Sequence, residues 1–233
     1  MKTVGIVGGI GPESTIEYYR SIIARYRQLR PDGTSPAILI ISLEVNKLLD
    51  WMYANHLGQV TDYLLAALQS LARAGADFGV IAANTPHIVF DDLQDRSPLR
   101  LVSIVEATCN EAARRGIRRV GLLGTRFTMQ ASFYPEVFSR HDVAVVTPQA
   151  DEQAYIHEKY VGELLKDKFL PETREHILKI IHRIKEQEQI QGVVLGGTEL
   201  PLLLRDDMVS DIPLLDTTQI HVRAIVTELI AES

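Results

Sequence analysis

The chain has 233 residues, of which 46% are hydrophobic and 23% are charged, and its formal net charge is −6 at pH 7. This acidic balance argues against a nucleic-acid surface, which needs clustered Lys and Arg, and no apolar run reaches the roughly 18–20 residues of a membrane span. The single cysteine, Cys109, excludes an internal disulfide and any multi-cysteine metal site. Because the first residues run directly into a Gly-rich strand and lack the apolar segment of a signal peptide, we expect a cytoplasmic protein.

Short apolar runs separated by helical patterns predict buried parallel strands. In chain order, the predicted strands are Thr3 to Val7, Ala37 to Ile41, Phe78 to Ala82, Arg119 to Leu123, Val143 to Val146, Gly192 to Leu195 and Pro213 to Leu215. The predicted helices are one that follows the first strand, one that carries Leu64, Leu65, Leu68 and Leu71 and ends at Gly75, one over Glu106 to Arg115, one over Glu172 to Gln189, and a last one over Thr217 to Ala231.

This alternation predicts an α/β protein with parallel sheets and right-handed crossovers. Two strand-end motifs occur twice: Gly8 corresponds to Gly124 at an offset of 116 residues, and Asn84 corresponds to Thr198 at an offset of 114. The near-equal offsets predict two similar α/β domains in a pseudo-twofold relation, with their polar strand ends meeting in an interdomain cleft. We place the first domain at residues 1–98 together with the C-terminal helix at about 216–233, and the second at residues 99–215.

The loop after the first strand has two possible roles. It reads Gly8-Gly9-Ile10-Gly11-Pro12-Glu13-Ser14-Thr15. Free backbone N–H groups at a helix start favour an anion, so Gly11 and Pro12 are candidate site residues. However, Ser14 stands where a dinucleotide fingerprint needs its third glycine, and the loop lacks the lysine of a phosphate loop. A tight strand-to-helix turn explains the same residues.

Polar side chains follow the other strands of the repeat. Asn84, Thr85 and His87 come directly after an apolar strand, and they cannot all be buried without partners. A small carboxylate would supply acceptors for the amide and the hydroxyl, although an Asx or Thr turn before Pro86 is the alternative. The second half supplies matching polar groups at the equivalent strand ends: Thr125, Thr128, Thr198 and Glu199.

The histidines do not form a metal site or a catalytic triad in the sequence. His176 and His182 are six residues apart, which is wrong for one helical face. With His157 they are most simply solvated, and His56 and His141 look like surface residues. His221 is either a packed polar residue or part of the cleft wall, and Cys109 is most simply a buried structural thiol within a helix.

These motifs together resemble the aspartate/glutamate racemase family, the pyridoxal-independent amino-acid racemases. The resemblance covers essentially the whole chain. It rests on the opening Gly-rich loop, on Ala83-Asn84-Thr85-Pro86-His87, on Gly124-Thr125-Arg126-Phe127-Thr128, on Gly197-Thr198-Glu199-Leu200, and on Asp216-Thr217-Thr218 with His221.

The resemblance implies two α/β domains with a small amino-acid or carboxylate ligand between them, often as a homodimer, and no cofactor or metal. It implies carboxylate binding by Asn84, Thr85, Thr125, Thr128 and Thr198; Lys47 and Lys166 are only positional candidates for recognising the ligand side chain. Usual members have a cysteine for each face of the α-carbon. Here those positions are Ala83 and Gly197, whose side chains cannot carry a proton.

Three functions therefore remain open. The chain is a racemase or epimerase that uses substitute groups such as His87, Glu199 or an ordered water, or an enzyme for another reaction such as decarboxylation or isomerisation, or a non-catalytic binding or regulatory protein. Losing one acid/base group typically costs about 10²–10⁴-fold in rate, so we expect conventional two-cysteine racemisation to be absent or strongly impaired. Cysteines at both positions 83 and 197 are expected to introduce some racemisation.

Overall fold

The computed structural model describes residues 2–204, 208–209 and 211–231, and the chain divides into two compact units. Unit 1 comprises the residues up to Ile104 and those from His221 onward, and unit 2 comprises Val105–Ile220. The predicted boundary after residue 98 precedes a short strand that belongs to the first sheet.

The described residues form strands β1 (Thr3–Gly8), β2 (Ala37–Ser42), β3 (Phe78–Ile81), β4 (Arg100–Val102), β5 (Arg119–Gly124), β6 (Ala144–Val146), β7 (Gly192–Gly196), β8 (Met208–Val209) and β9 (Ile212–Asp216). Every strand predicted from the sequence is present, and its ends lie within one residue of the predicted ends. The structure adds β4 and β8, which are too short to show a pattern in the sequence.

The helices are α1 (Pro12–Leu29), α2 (Val45–Tyr53), α3 (Leu57–Arg73), α4 (Phe90–Arg96), α5 (Ile104–Arg114), α6 (Arg126–Gln130), α7 (Phe133–Ser139), α8 (Ala150–Gly162), α9 (Pro171–Glu188), α10 (Leu200–Leu204) and α11 (Thr217–Ile230). Short 3₁₀ turns cover Thr85–Val89 and Leu164–Lys166. In the part of the chain that the structure describes, no helix has both the length and the apolar character needed to cross a membrane.

The two sheets repeat one strand order. Unit 1 has the order β2-β1-β3-β4, and unit 2 has the order β6-β5-β7-β9, followed by β8 at the edge. All pairs are parallel except β8 with β9. The predicted α/β class with two similar parallel-sheet domains is confirmed. Because carboxyl ends of parallel strands share one edge of a sheet, the loops after β1 and β3 lie at one edge in unit 1, and those after β5 and β7 lie at one edge in unit 2.

Each sheet is buried by helices whose apolar residues recur at helical spacing. In unit 1, α1 and the C-terminal helix α11 pack on β1 and β3 through a cluster that includes Tyr18, Ile22, Val222, Ile225 and Val226. In unit 2, α8 and α9 cover β5 and β7, and the buried stripe of α9 is Ile177, Ile180, Ile181 and Ile184. These layers hold the strand ends in place, which fixes the geometry of the polar loops.

Candidate functional site

The loop after β1 is a tight turn closed by its own hydroxyls. Thr15 Oγ1 accepts a hydrogen bond from the Gly9 backbone N–H at 2.9 Å, and the Ser14 hydroxyl donates to the Gly11 carbonyl at 2.8 Å. Gly9 has a φ of +80°, and a Cβ atom there would stand 2.3 Å from the Leu43 carbonyl oxygen. The glycines therefore serve the turn and its close approach to the neighbouring strand, as the simpler interpretation of this loop requires. Pro12 begins α1, and its side chain is exposed.

The loop after β3 places Ala83 and Asn84 in a buried position at the sheet edge. Their exposed fractions are 5% and 3%, and the half-buried Thr85 starts a 3₁₀ turn with Pro86. The Asn84 carbonyl accepts a hydrogen bond from the His87 backbone N–H at 3.0 Å. This turn fixes the polar side chains at the carboxyl end of the strand, where a ligand of a parallel sheet binds.

His87 is held as a neutral, structural imidazole. Nδ1 lies 3.0 Å from the Ala83 carbonyl oxygen, which can only accept, so Nδ1 carries the proton. Nε2 then accepts from the Ile104 backbone N–H at 3.3 Å. Burial, with a smaller contribution from His221, lowers the pKa of His87 to about 3. Both ring nitrogens are occupied, so this side chain orients the strand-end backbone rather than serving as a base.

His221 has the same character on the C-terminal helix. Nε2 donates to the Val102 carbonyl at 2.9 Å, and Nδ1 accepts from the Tyr18 hydroxyl at 2.9 Å. Burial lowers the pKa of His221 to about 4. Of the two interpretations given by the sequence, the structure supports the packed polar residue: His221 ties α1 and α11 to β4 within unit 1.

In unit 2, the loop after β5 brings two hydroxyls together. Thr125 caps α6 by accepting from the Thr128 backbone N–H at 3.3 Å, and the two side-chain oxygens lie 3.2 Å apart. The Thr128 methyl group lies 3.0 Å from the position that a Cβ atom would take on Gly124 or on Gly196. These paired glycines of β5 and β7 let Thr128 pack directly over the two strands.

The end of β7 contains a feature that the sequence did not reveal. A Cβ atom on Gly197 would stand 2.4 Å from Cε2 and 2.7 Å from the phenolic oxygen of Tyr160, so the Tyr160 ring fills the space of a side chain at this position. Tyr160 lies on α8, far from every motif in the sequence. The only available signal was that Ile156 and Tyr160 are four residues apart on one face of a helix, which indicates burial but gives no contact with Gly197.

Tyr160 and Glu199 form a buried acid pair beside Gly197. The Tyr160 hydroxyl donates a short hydrogen bond to Glu199 Oε2, and the Thr198 hydroxyl donates to the same oxygen at 2.8 Å. Burial raises the pKa of Glu199, an effect that the two hydroxyl donors oppose in part, and burial next to Glu199 raises the pKa of Tyr160. The Thr198 hydroxyl is therefore directed at Glu199, and Tyr160 and Glu199 form a proton donor and acceptor pair at the end of this strand.

The remaining candidates have contacts of their own or are exposed. Lys47 is exposed and stacks over Trp51 and Tyr63, 5.0 and 4.9 Å from the ring centroids, and Lys166 is exposed in a 3₁₀ turn. Cys109 is buried in α5, and burial raises the pKa of its thiol to about 11. Among the described residues, no group of three or more His, Cys, Asp or Glu side chains is arranged to hold a metal ion.

One histidine is closer to the candidate site than the sequence indicated. His157 of α8 is half-buried, and its Nδ1 accepts a hydrogen bond at 3.3 Å from the Arg126 backbone N–H, in the loop that carries Thr125 and Thr128. Burial lowers the pKa of His157, and so does the nearby Arg126 charge. His56, His141, His176 and His182 are exposed.

Comparison with known proteins agrees with this architecture. A family model described as Asp/Glu/Hydantoin racemase matches residues 7–225. An aspartate racemase homologue from Pyrococcus horikoshii superposes with a TM-score of 0.84 at 35% identity and covers 99% of this chain and 100% of its own. A candidate Asp/Glu racemase from Yersinia pestis superposes with a TM-score of 0.90 at 31% identity, over 99% of this chain and 100% of its own.

A curated relative extends the similarity at the level of sequence. The broad specificity amino-acid racemase RacX of Bacillus subtilis is 23% identical over 233 residues, which are 98% of this chain and 98% of that protein. The family match spans both units and all of the strand-end loops described above. The chain therefore belongs to the Asp/Glu/hydantoin racemase family.

Proposed function

We propose that this protein binds a small amino acid or a related carboxylate through the polar groups at its strand ends, and that it lacks conventional two-thiol racemisation. The ligand-binding groups are Asn84 and Thr85 in unit 1 and Thr125, Thr128 and Thr198 in unit 2. They correspond to the positions that the family resemblance assigns to carboxylate binding.

The main observation behind the proposal is which residues stand at 83 and 197, the two positions that carry cysteine in usual family members. Residue 83 is alanine, and residue 197 is a glycine against which Tyr160 packs so closely that any side chain there would have to displace the ring. Neither position can supply a thiolate, and Cys109 is buried in a helix with a raised thiol pKa. Two-base proton transfer at an α-carbon needs a group for each face, so the usual reaction has lost its acid and its base.

Ligand binding does not require the two missing cysteines. Threonine hydroxyls and an amide donate hydrogen bonds to a carboxylate, and such bonds to a charged acceptor contribute about 1.5–3 kcal/mol each. Thr125 and Thr128 lie side by side with oxygens 3.2 Å apart, which suits one carboxylate group. The hydroxyls rotate, so they can exchange their present partners for a ligand oxygen.

Calorimetric titration with L- and D-aspartate and L- and D-glutamate tests binding. We expect at least one of them to bind, and we expect Asn84→Asp and Thr125→Val each to weaken that affinity about 10- to 100-fold, in line with one lost charge-assisted hydrogen bond. Thr34→Val, in an exposed loop, is the control and should bind as the wild type does. If none of the four binds, or if the two site variants bind like the control, the proposal is wrong.

From the family resemblance we also propose that the protein is a cytoplasmic homodimer. Light scattering during size-exclusion chromatography would then give twice the mass of one chain. A single-chain mass across the concentrations used for titration would refute the dimer without affecting the binding proposal.

A further inference from the structure

The geometry at the end of β7 points to a proton-transfer group that takes the place of the missing second thiol. We infer that the Tyr160 hydroxyl, with Glu199 as its proton acceptor, exchanges a proton with the α-carbon of the bound amino acid on one face only. This inference rests on the proposed function, because it needs the ligand to be held at the strand ends.

The first support for this inference is the position of the Tyr160 hydroxyl. The Tyr160 oxygen is 2.7 Å from the site of a Cβ atom on Gly197, which is where the family's second thiol would be attached. Glycine at 197 and tyrosine at 160 fit together as a pair: any side chain on 197 would displace the ring. The Tyr160 hydroxyl, carried by α8, therefore lies next to the point from which a thiol at residue 197 would extend.

The second support for this inference is the environment of Glu199. A buried carboxyl group costs free energy unless it is hydrogen-bonded, and a purely structural position is filled more cheaply by an apolar side chain. Here Glu199 is 4% exposed, and one of its oxygens accepts both the Tyr160 and Thr198 hydroxyls. Burial raises the pKa of Glu199, which makes its carboxylate a stronger base than an exposed one.

The proton balance of the step is simple. The bond between the α-carbon and its hydrogen breaks, the proton goes to the Tyr160 oxygen, and the proton of Tyr160 moves to Glu199 Oε2. The electron pair stays on the ligand as an enolate-type carbanion, which hydroxyl donors around its carboxylate stabilise. Return of a proton by the reverse route restores the amino acid, and no oxidant or second substrate is needed.

The two described residues considered for the other face, Ala83 and His87, offer no free acid or base. The resemblance assigns the other thiol to position 83, where the alanine methyl carries no proton, and His87 beside it has both nitrogens occupied. A proton released through Tyr160 therefore returns to the face from which it left. The expected result is exchange of the α-hydrogen with retention of configuration, rather than racemisation.

The test uses the whole protein in deuterated water with L- and D-aspartate and L- and D-glutamate. Proton NMR follows loss of the α-hydrogen, and chiral chromatography follows configuration. We expect one enantiomer of a binding amino acid to lose its α-hydrogen faster than in buffer while it keeps its configuration. The rate should rise with pH as Glu199 loses its proton, and Glu199→Gln should lose both the exchange and this rise.

Tyr160→Phe keeps the ring against Gly197 and removes only the hydroxyl, so it should bind ligand while exchange falls by about 10²–10⁴-fold. Tyr155→Phe is the matched control, because Tyr155 lies on the same helix and stacks on His176 instead. Binding without any wild-type exchange would overturn this inference and leave the proposed function intact. Exchange that persists in Tyr160→Phe, or that proceeds with racemisation, would also overturn it, and the absence of all binding would overturn both.

Discussion

The phenolic oxygen of Tyr160 lies 2.7 Å from the position that a Cβ atom on Gly197 would occupy. The ring and any side chain at residue 197 therefore exclude one another. Gly197 is not among the glycines with positive φ, so its backbone alone would accept other residues. The Tyr160 ring, on α8, is what disfavours larger residues at position 197.

This relationship changes what cysteine substitutions can do. From the sequence alone, Ala83→Cys with Gly197→Cys is expected to introduce racemisation, but a cysteine at residue 197 would have to displace the Tyr160 ring. We now predict that this double variant racemises aspartate and glutamate much more slowly than a triple variant that also lacks the ring, because the ring keeps the second thiol out of position. A truncation at Tyr160, such as Tyr160→Ala, must accompany the cysteines, and chiral chromatography of the amino acid after incubation distinguishes the two variants.

Gly197→Ala should destabilise the protein by about 1–3 kcal/mol, because the added methyl group overpacks against the Tyr160 ring. Urea unfolding followed by circular dichroism measures the change. Gly58→Ala is the control: a Cβ atom there meets nothing within 4 Å, and the residue lies in the first turn of α3, so stability should not fall.

A double-mutant cycle tests whether the Tyr160 ring causes the loss of stability in Gly197→Ala. In a Tyr160→Ala background the ring is gone, so Gly197→Ala should cost less than it does in the wild type, with a coupling free energy of about 1 kcal/mol or more. Equal costs in both backgrounds would mean that Tyr160 does not restrict residue 197.

The two buried histidines should make folding sensitive to acid. The pKa values of His87 and His221 are lowered from 6.5 to about 3 and about 4, so both side chains are neutral in the folded protein and protonate first in the unfolded chain. Their stabilising effect is complete above pH 6.5 and is lost as pH falls toward pH 4. Each histidine should add up to about 1.4 kcal/mol per pH unit to the slope of the unfolding free energy in this range.

Unfolding at a series of pH values between 7 and 4 tests this prediction. His221→Gln should be less stable at pH 7 but show a shallower dependence on pH than the wild-type protein. An unchanged slope in His221→Gln would show that this histidine does not titrate on unfolding.

Cys109 should be inert in the folded protein. Its thiol is fully buried, hydrogen-bonds weakly to the Val137 carbonyl at 3.7 Å, and has a pKa raised to about 11 by burial and by Glu106. Reaction with a chromogenic disulfide reagent at pH 8 should be negligible before unfolding and stoichiometric after it. Rapid modification of the native protein would contradict this burial and would show that the Cys109 thiol is accessible and reactive.

Most of the fold could be predicted from the sequence because the patterns that indicate its strands and helices are local. Apolar runs in β1, β3, β5 and β7 and the stripe of α9 follow directly from residue spacing. The near-equal offsets of Gly8 from Gly124 and of Asn84 from Thr198 predicted the duplication. β4 has only three residues, and its partner β3 lies about twenty positions earlier in the chain. A strand that short has no period, so its place in the first sheet could not be predicted from the sequence.

The candidate site was predictable only where it follows strand ends. Asn84, Thr125 and Thr198 could be placed because motifs come directly after apolar runs. The contact between Tyr160 and Gly197 joins residues 37 positions apart on separate elements, and it depends on how α8 packs on the second sheet. The role of His87 was likewise hidden, because its partner Ile104 is a backbone N–H group beyond β4.

We expect the ligand-binding groups of the family to remain functional in this protein although two-sided proton transfer is lost. The most direct measurement is chiral analysis of L-aspartate and L-glutamate, and separately of the D enantiomers, after long incubation with the wild-type protein. We predict that each amino acid keeps its configuration even at ligand concentrations that saturate binding. Conversion of either enantiomer to a racemic mixture would contradict the central claim, because it would require a second proton-transfer group that Ala83 and His87 do not provide.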